Sequence, residues 1–535
     1  MISKDCLACL RSSTSKHLLY FCLLLLVLTS ASANIVSIPL KAIPPREQKY
    51  PKSPKGMPYR LRLIDTTTSH RSSFIRRLLG LHSVYEVELL GGIIGVGEYY
   101  TEIWLGDYQL RVQVDTGSST LAVPITGCKS CHKHGRYYKL DPQKNKEDVV
   151  DVLGKGQAIK CLDRRCKVDT CGYGCNVCSV EGACCSKIHP FECGFSLRYA
   201  DKSSASGSLI TDEVEIGGLK SNVTFGGILE NSKSFERKQV DGIMGMAFES
   251  LACNPTCIEP VFDSVVKRNG IRNVFSICMN REGGVLHLGG IENSTIREGE
   301  QLDYAPLLRS LPMKYYRLRL NGHVYLQDKN GEKEKVDERK VKFKRRVKLP
   351  NFKRAIVDTG ATLIVVSTLA FNTLKQDFQS HYCHIPELCG SISWFQNGMC
   401  VSLSSEDLKK LPTISFAVGD EREKDRHVML EFEPEEYMIE YYRGGKNYRC
   451  IGIMGLDGIG GLVILGNTVM QKYITVYDRE NYQIGFAKAA RNCGRDGRER
   501  NNTGASKVAK PSSEAGHDEQ HGWVEAESAN IGEIV

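Results

Sequence analysis

Two short segments of this 535-residue chain contain the same Val-Asp-Thr-Gly tetrapeptide. The first, RVQVDTGSSTLAVP at 111–124, contains Asp115, and the second, KRAIVDTGATLIVV at 353–366, contains Asp358. In each copy an apolar run precedes the Asp and a Gly follows two positions later, a pattern typical of a strand that ends in a tight turn. A single Asp-Thr-Gly motif is weak evidence, because it can occur by chance in a turn. Two copies in separate halves of the chain indicate a duplicated unit in which two carboxyl groups meet.

Two carboxyl groups in contact can support a specific chemistry. They cannot both ionise easily, so they share a proton and lose their two protons at well separated pH values. The ionised group can take a proton from water while the protonated group polarises a carbonyl, which is general acid–base hydrolysis. The alternative is that Asp115 and Asp358 belong to two ordinary Asx-turns.

The elements that must position these residues are predicted to be mostly strands. From Glu98 onward, short apolar and aromatic runs are separated by Gly, Asp and Asn, and YYTEIWLG, VTFGGIL, VFSICM, PTISFAV and YITVYD are examples. Helical patterns are fewer; IEPVFDSVVKRNG and TLAFNTLKQDFQSHY are the best candidates. The sequence therefore predicts an all-β architecture with few helices.

Composition shifts along the chain predict five regions. Residues 1–33 read as a signal peptide, with an apolar run followed by Ala31-Ser32-Ala33, and an uncleaved signal anchor is the alternative. Residues 34–90 are expected to be a leader or pro-segment, or alternatively a disordered linker. An N-terminal lobe over 91–300, a C-terminal lobe over 301–493 and a disordered tail over 494–535 follow. The apolar run from Leu18 to Leu28 is shorter than the roughly 20 residues that span a bilayer, and no second run of that length follows. The sequence therefore does not decide whether the protein is attached to a membrane.

The net charge of +9 is concentrated in one segment. Residues 329–354 contain 12 Lys and Arg against 4 Asp and Glu. A charge run of this kind is typical of a solvated surface insertion. Nucleic-acid binding is the alternative, but no aromatic residues nearby provide a platform on which bases could stack, so no nucleic-acid partner is expected.

The chain contains 21 cysteines, which suits an oxidising compartment. Ten of them lie within 128–193, a segment that we call the Cys-rich insert. The C-x2-C spacings at 128/131 and 175/178 could bind zinc. Secretion and the adjacent pair Cys184-Cys185 favour disulfides instead, with a connectivity that the sequence leaves open.

Taken together, the motifs resemble those of the pepsin-like aspartic proteases over about 98–493. Besides the two Asp-Thr-Gly segments, DGIMGMA at 241–247 and GLVILGNTVMQKYITVYDRENYQIGFA at 461–487 resemble conserved segments of that family. The segment CGFSLRYADKSSASG at 193–207 falls where the family has its flap hairpin. The resemblance implies a bilobal fold, an aspartic endopeptidase that acts as a monomer on polypeptides, and no cofactor or metal.

The same resemblance implies roles for individual residues. Asp115 and Asp358 would be catalytic, and Tyr199 would close over the substrate. The active-site loops would be supported by Thr116, Gly117, Ser118, Thr359 and Gly360. Two positions depart from the family pattern: Ala122 replaces a Trp that anchors the flap, and Ala361 replaces a hydroxyl residue that would bond Asp358. Loss of that hydroxyl is expected to raise the pKa of Asp358 and move activity away from strong acid.

The Cys-rich insert resembles that of the nepenthesin-type proteases. With the Trp-less first motif and the charged insertion, the chain more specifically resembles the plasmepsin V subgroup, which includes Toxoplasma aspartyl protease 5. This narrower resemblance implies an endoplasmic-reticulum enzyme that cleaves exported proteins at an Arg-x-Leu motif. Glu192, Asp201 and Glu230 are candidate partners for the Arg. The alternatives are a broad-specificity digestive or vacuolar protease and an inactive peptide-binding homologue.

Overall fold

The structure is a computed structural model. It describes residues 84–92, 98–131, 135–140, 156–167, 177–178, 182–199, 203–232, 240–253, 256–281, 283–328, 345–386, 388–389, 395–396, 400–419, 427–443 and 446–494. The predicted signal peptide, most of the 34–90 leader, residues 329–344 of the basic insertion, the tail beyond 494 and Asp201 lie outside the described residues.

Among the described residues, thirteen strands lie in the first half of the chain. They are β1 Tyr85–Gly92, β2 Glu98–Leu105, β3 Tyr108–Asp115, β4 Leu121–Pro124, β5 Gln157–Ala158, β6 Val177–Cys178, β7 Cys184–Cys185, β8 Gly194–Arg198, β9 Ser204–Ile216, β10 Leu219–Asn231, β11 Gly242–Gly245, β12 Val274–Asn280 and β13 Gly283–Leu288. One α-helix, α1, spans Val261–Asn269 and ends at Gly270, whose φ of 63° is the left-handed conformation that favours glycine.

Fifteen strands follow in the part of the second half that the structure describes. They are β14 Asp303–Pro306, β15 Arg317–Arg319, β16 His323–Gln327, β17 Arg345–Lys348, β18 Arg354–Val357, β19 Ile364–Ser367, β20 Cys400–Val401, β21 Thr413–Gly419, β22 His427–Phe432, β23 Met438–Arg443, β24 Lys446–Ile451, β25 Ile453–Leu456, β26 Leu462–Leu465, β27 Tyr473–Asp478 and β28 Gln483–Lys488. The helices are α2 Thr368–Tyr382, α3 Ser405–Lys409, α4 Pro434–Tyr437 and α5 Asn467–Met470. Short 3-10 helices lie at Arg164–Cys166, Glu249–Leu251, Asn293–Thr295 and Arg491–Gly494.

The strands confirm the predicted all-β fold and show the duplication directly. In the first half the strand order β2-β3-β11-β4-β10 runs through a 14-stranded sheet, and in the second half β15-β18-β26-β19-β25 forms a sheet of 5 strands. Strand β11 pairs parallel to β3 and antiparallel to β4. Strand β26 repeats both relationships with β18 and β19. The two halves therefore present the same local topology around each Asp-Thr-Gly loop.

The two halves also share a sheet. Strand β27 from the end of the chain pairs with β12 over Val274–Ile277, and β12 pairs in turn with β13. Next to β13 lies β1, which pairs with β13 on one side and β2 on the other. Strand β1 thus crosses the border at residue 90 between the predicted leader and the predicted N-terminal lobe. It lies in the interior of the 14-stranded sheet.

Fourteen of the described cysteines form seven disulfides, which confirms the disulfide prediction. The pairs are Cys128–Cys131, Cys161–Cys185, Cys166–Cys193, Cys253–Cys257, Cys278–Cys493, Cys383–Cys389 and Cys400–Cys450. In the part of the chain that the structure describes, no cluster of His, Cys, Asp and Glu is arranged to hold a metal ion. In that same part, none of the helices has the length and apolar character that crossing a bilayer requires.

Candidate active site

Each Asp-Thr-Gly loop leaves the carboxyl end of a buried strand. Asp115 is the last residue of β3 and is 5% exposed, and Asp358 directly follows β18. A second strand closes behind each loop: the Met246 amide, directly after β11, donates to Asp115 O at 2.7 Å, and the Asp358 amide donates to Leu465 O, at the end of β26, at 3.1 Å. A backbone bond to the neighbouring strand therefore holds each Asp.

The two loops are joined by a reciprocal exchange between their threonines. The Thr116 amide donates to Thr359 Oγ1 at 2.9 Å, and the Thr359 amide donates to Thr116 Oγ1 at 3.0 Å. Each hydroxyl then donates across to the other strand, Thr116 to Val357 O at 2.9 Å and Thr359 to Val114 O at 2.6 Å. Both threonines are at most 1% exposed, so water does not compete for these four bonds.

The glycines allow each carboxyl group to approach the opposite loop. A methyl group on Gly117 would lie 2.5 Å from both carboxyl oxygens of Asp358, and one on Gly360 would lie 2.5 Å from Asp115 Oδ1. Any other residue at either position would therefore displace an aspartate. This close approach across the two loops brings Asp115 and Asp358 together.

The electrostatics of the pair are asymmetric. Burial raises the pKa of Asp358 well above its ordinary value, and the charge of Asp115 and a hydrogen bond between the two carboxyl groups raise it further. The Gly360 amide, which donates to Asp358 Oδ1 at 2.8 Å, and the Ala361 amide partly offset this rise in pKa. Asp115 accepts from the Gly117 amide at 2.8 Å and from Ser118 Oγ at 2.5 Å, and such bonds stabilise a charged carboxylate. The arrangement favours a protonated Asp358.

Tyr199 follows β8 in the hairpin that β8 forms with β9. Its amide donates to Ser203 O at 2.8 Å, which closes the hairpin. Tyr199 also packs against a buried cluster that contains Ala122 and Phe195. The hairpin therefore places Tyr199 against a cluster that includes Ala122 of β4, the strand that follows the first Asp-Thr-Gly motif.

The structure gives a physical reason for Ala122. Its side chain is fully buried and shares a cluster with Phe195 and the disulfides Cys161–Cys185 and Cys166–Cys193. The paired residue Gly226 has the Phe195 ring 2.6 Å from where its Cβ would be. Phe195 and the Cys-rich insert thus pack beside Ala122, which leaves no room there for a Trp.

Tyr315 is a site residue that the sequence did not reveal. Burial raises the pKa of its hydroxyl, and the negative charges of Asp358 and Asp115 add to the rise, whereas the nearby Arg317 lowers it. Tyr315 packs with Ala361, Met454 and Leu456 around a small apolar cluster. No sequence motif marks Tyr315 as a site residue. Tyr315 lies two residues before β15, and the fold brings it near the two aspartates.

A polar cavity of about 420 Å³ lies beside the flap hairpin. It is lined by Lys129, Ser130, Ser196, Ser204, Ala205, Ser206, Glu230, Asn231 and Ser232. Of the candidate acidic residues, Glu230 lines this cavity. Glu192 instead pairs with His189 at 3.0 Å within the Cys-rich insert.

A duplicated β fold that brings two Asp-Thr-Gly loops into contact defines the pepsin-like class of hydrolases. Comparison with protein families agrees: the model of the eukaryotic aspartyl protease family matches residues 186–489, more than half of the chain. The chain belongs to this family and is an aspartic-type endopeptidase that acts on polypeptides.

Similar proteins include both animal and parasite proteases. Cathepsin E of Aquarana catesbeiana is 26% identical over 73% of this chain and 79% of its own length. Plasmepsin VI of Plasmodium berghei is 23% identical over 78% of this chain and 83% of its own length. Aspartic protease 5 of Toxoplasma gondii is 24% identical over 77% of this chain, a match that spans 38% of the Toxoplasma protein.

Proposed function

We propose that Asp115 and Asp358 are the catalytic pair of this endopeptidase. The observation that carries the proposal is the threonine exchange, which holds the two loops so that both carboxyl groups face one another. Asp115, with its two donors, takes a proton from a bound water. Asp358, with its raised pKa, donates a proton to the oxygen of the scissile carbonyl.

The water oxygen bonds to the carbonyl carbon, which gives a tetrahedral diol. Asp115 then passes the proton that it took from water to the amide nitrogen, Asp358 takes a proton back from a hydroxyl of the diol, and the C–N bond breaks. No covalent bond forms between enzyme and substrate. Thr116, Thr359, Gly117, Gly360 and Ser118 support the two loops. Tyr199, at the tip of the flap hairpin, closes over the substrate and excludes water.

The test is to compare Asp115→Asn and Asp358→Asn with Asp303→Asn, a surface change of the same kind in β14. Each dyad variant is expected to lose at least about 100-fold in kcat/KM, because each removes one partner of the acid–base pair. The Asp303 variant should retain full activity. Substantial activity in either dyad variant, with folding intact, would show that the assignment is wrong.

We further propose that the enzyme prefers substrates with Arg two residues before a scissile Leu. Support comes from the narrower sequence resemblance and from Glu230, which lines the cavity beside the flap hairpin. Lys129 lines the same cavity, so removal of the Glu230 charge would leave a net positive lining that repels Arg. Glu192 is a weaker candidate because His189 already pairs with it.

Glu230→Gln and Glu192→Gln form a matched pair for this proposal. We measure kcat/KM for an Arg-x-Leu peptide and for its Arg→Ala counterpart in both variants and in wild type. The Arg preference should fall about tenfold or more in Glu230→Gln alone, since a hydrogen bond to a charged group contributes about 1.5–3 kcal/mol. Equal turnover of both peptides by wild type would favour the broad digestive or vacuolar alternative. An Arg preference that persists in Glu230→Gln would point to Asp201.

The proposed place of action is the secretory pathway, in particular the endoplasmic reticulum. The predicted signal peptide supports entry to that pathway, and the disulfides among the described cysteines support an oxidising compartment. Localisation of a tagged full-length chain checks this. Accumulation in a digestive vacuole would favour the broad-specificity digestive or vacuolar protease.

The inactive peptide-binding homologue is tested separately: it would hydrolyse no peptide in a library.

A further inference from the structure

The Cys-rich insert exposes two large apolar side chains next to one another. Phe191 is 89% exposed and Leu162 is 58% exposed. The Cys161 amide donates to Phe191 O at 2.8 Å, which places the residue before Leu162 against the backbone of Phe191. We call Leu162 and Phe191 the apolar pair of the insert. Neither side chain contributes to the core of the fold.

The backbone that carries this pair is held rigidly. The disulfides Cys161–Cys185 and Cys166–Cys193 lie on either side of it, and Cys166 and Cys193 are fully buried. The turn before Phe191 is closed by the Ser186 amide, which donates to Glu192 O at 2.9 Å. The backbone therefore keeps both apolar side chains exposed to solvent. Because this backbone is already ordered, it loses little conformational entropy when a partner covers the apolar pair.

Exposed basic residues lie close to the apolar pair in sequence. Lys160, Arg164, Lys167 and Lys187 are all exposed on the same part of the insert. Within the described residues 156–167 and 182–193, the acidic residues are Asp163 and Glu192. Asp163 pairs with Arg165 at 2.8 Å, and Glu192 pairs with His189 at 3.0 Å. The described residues of these two segments thus carry more basic than acidic side chains.

We propose that this part of the insert binds the surface of a bilayer that contains anionic lipids. Phe191 and Leu162 enter the boundary between headgroups and acyl chains, while the surrounding Lys and Arg side chains remain with the phosphate and carboxylate groups. Exposed apolar residues surrounded by basic ones are typical of peripheral membrane contact. A stable protein partner would instead need roughly 800 Å² of complementary surface, which two isolated side chains do not provide.

The experiment is flotation of the full-length protein with vesicles. Wild type should bind vesicles of phosphatidylcholine with phosphatidylserine, bind weakly to phosphatidylcholine alone, and be released by high salt. Phe191→Ser should weaken binding about tenfold. The double variant Lys160→Gln/Lys187→Gln should weaken binding to anionic vesicles by about fivefold for each lysine. Leu311→Ser is the matched control, because Leu311 is 94% exposed but lies outside the insert, and its binding should equal that of wild type.

Peptide hydrolysis in solution checks that every variant is folded, since none of these residues belongs to the proposed catalytic site. If wild type fails to float with anionic vesicles, or if Phe191→Ser binds as well as wild type, the proposal is wrong. Equal loss in Leu311→Ser would also overturn it, because binding would then reflect general surface hydrophobicity.

Discussion

At the level of single residues, Asp115 and Asp358 differ in the donors that reach their carboxyl groups. Asp115 receives the hydroxyl of Ser118, whereas the corresponding position after Asp358 is Ala361 and provides only a backbone amide. Burial beside another carboxyl group leaves Asp358 with a raised pKa, and no hydroxyl at position 361 offsets that rise. The pair therefore retains its shared proton to higher pH than a pair with hydroxyl donors on both sides.

We predict that Ala361→Ser lowers the upper apparent pKa of the kcat/KM profile. The new hydroxyl would donate to the ionised form of Asp358, which stabilises that form and lowers its pKa. A hydrogen bond to a charged group contributes about 1.5–3 kcal/mol, and a pKa unit corresponds to about 1.4 kcal/mol. Because the Ala361 amide already reaches Asp358, the expected decrease is about one unit at most. Activity should fall at the alkaline limb and change little at the acidic limb.

Ser118→Ala serves as the companion variant, because it removes the hydroxyl donor from Asp115. It should move the acidic limb to higher pH, in contrast to Ala361→Ser. An upper limb that is unchanged in Ala361→Ser would show that Ala361 does not set the pH range.

At the level of elements, strand β1 decides which part of the N-terminal region the fold requires. Five consecutive residue pairs join β1 to β13, from Tyr85 with Leu288 to Leu89 with Gly284. Val87 and Leu89 are buried in the main core. Removal of a leader can therefore extend to about residue 84, but loss of β1 would open the sheet between β13 and β2.

We predict that a chain that begins at residue 84 folds and hydrolyses peptides, whereas one that begins at residue 93 does not accumulate as active enzyme. The physical reason is the loss of both strand pairings of β1 together with its buried apolar side chains. Soluble yield, thermal unfolding and peptide hydrolysis of the two truncated chains are the measurements. Equal stability of the two chains would show that β1 is dispensable.

The elements that the sequence predicted well are those whose signal is local. The pattern TLAFNTLKQDFQSHY corresponds to α2, which begins after Ser367, and the Ser367 hydroxyl accepts from the Ala370 amide. The two Asp-Thr-Gly strands are marked by their apolar runs and glycines. In contrast, β1 looked like part of a leader because its pairing with β13 joins residues that are about 200 positions apart. Likewise, the packing of Phe195 beside Ala122 and the place of Tyr315 near the aspartates depend on tertiary contacts that no local pattern encodes.

At the level of the whole molecule, a buried ion pair joins the end of the chain to the first half. Arg479 directly follows β27, and its guanidinium donates to both carboxyl oxygens of Asp263 in α1, at 3.0 and 2.7 Å. The guanidinium also lies 4.8 Å from the ring centroid of Phe248. The Arg479 side chain is 4% exposed, so it has little access to water if its partner is lost.

We predict that Asp263→Asn destabilises the protein by about 3–5 kcal/mol, because it leaves a buried charge without its partner. Glu480→Gln is the matched control. Glu480 pairs with Arg272 at the surface, where the Arg272 side chain is 36% exposed and the Glu480 side chain 37% exposed. A surface ion pair contributes about 0–1 kcal/mol to the free energy of unfolding. Denaturant unfolding of both variants gives the comparison. Similar small losses in both would mean that water or another group compensates Arg479.

Two contacts of the first half must wait during synthesis until the end of the chain has been made. They are the pairing of β12 with β27 and the disulfide between Cys278 and Cys493. The two cysteines are 215 positions apart. At about 5–20 residues per second, roughly 10–40 s pass between the emergence of the first thiol and that of the second. During this interval the edge of β12 lacks β27 and the Cys278 thiol lacks Cys493. The edge can pair with another strand and the thiol can form a non-native disulfide. Nascent chains arrested before Cys493 should therefore present Cys278 to an alkylating reagent, and chains arrested well beyond it should not.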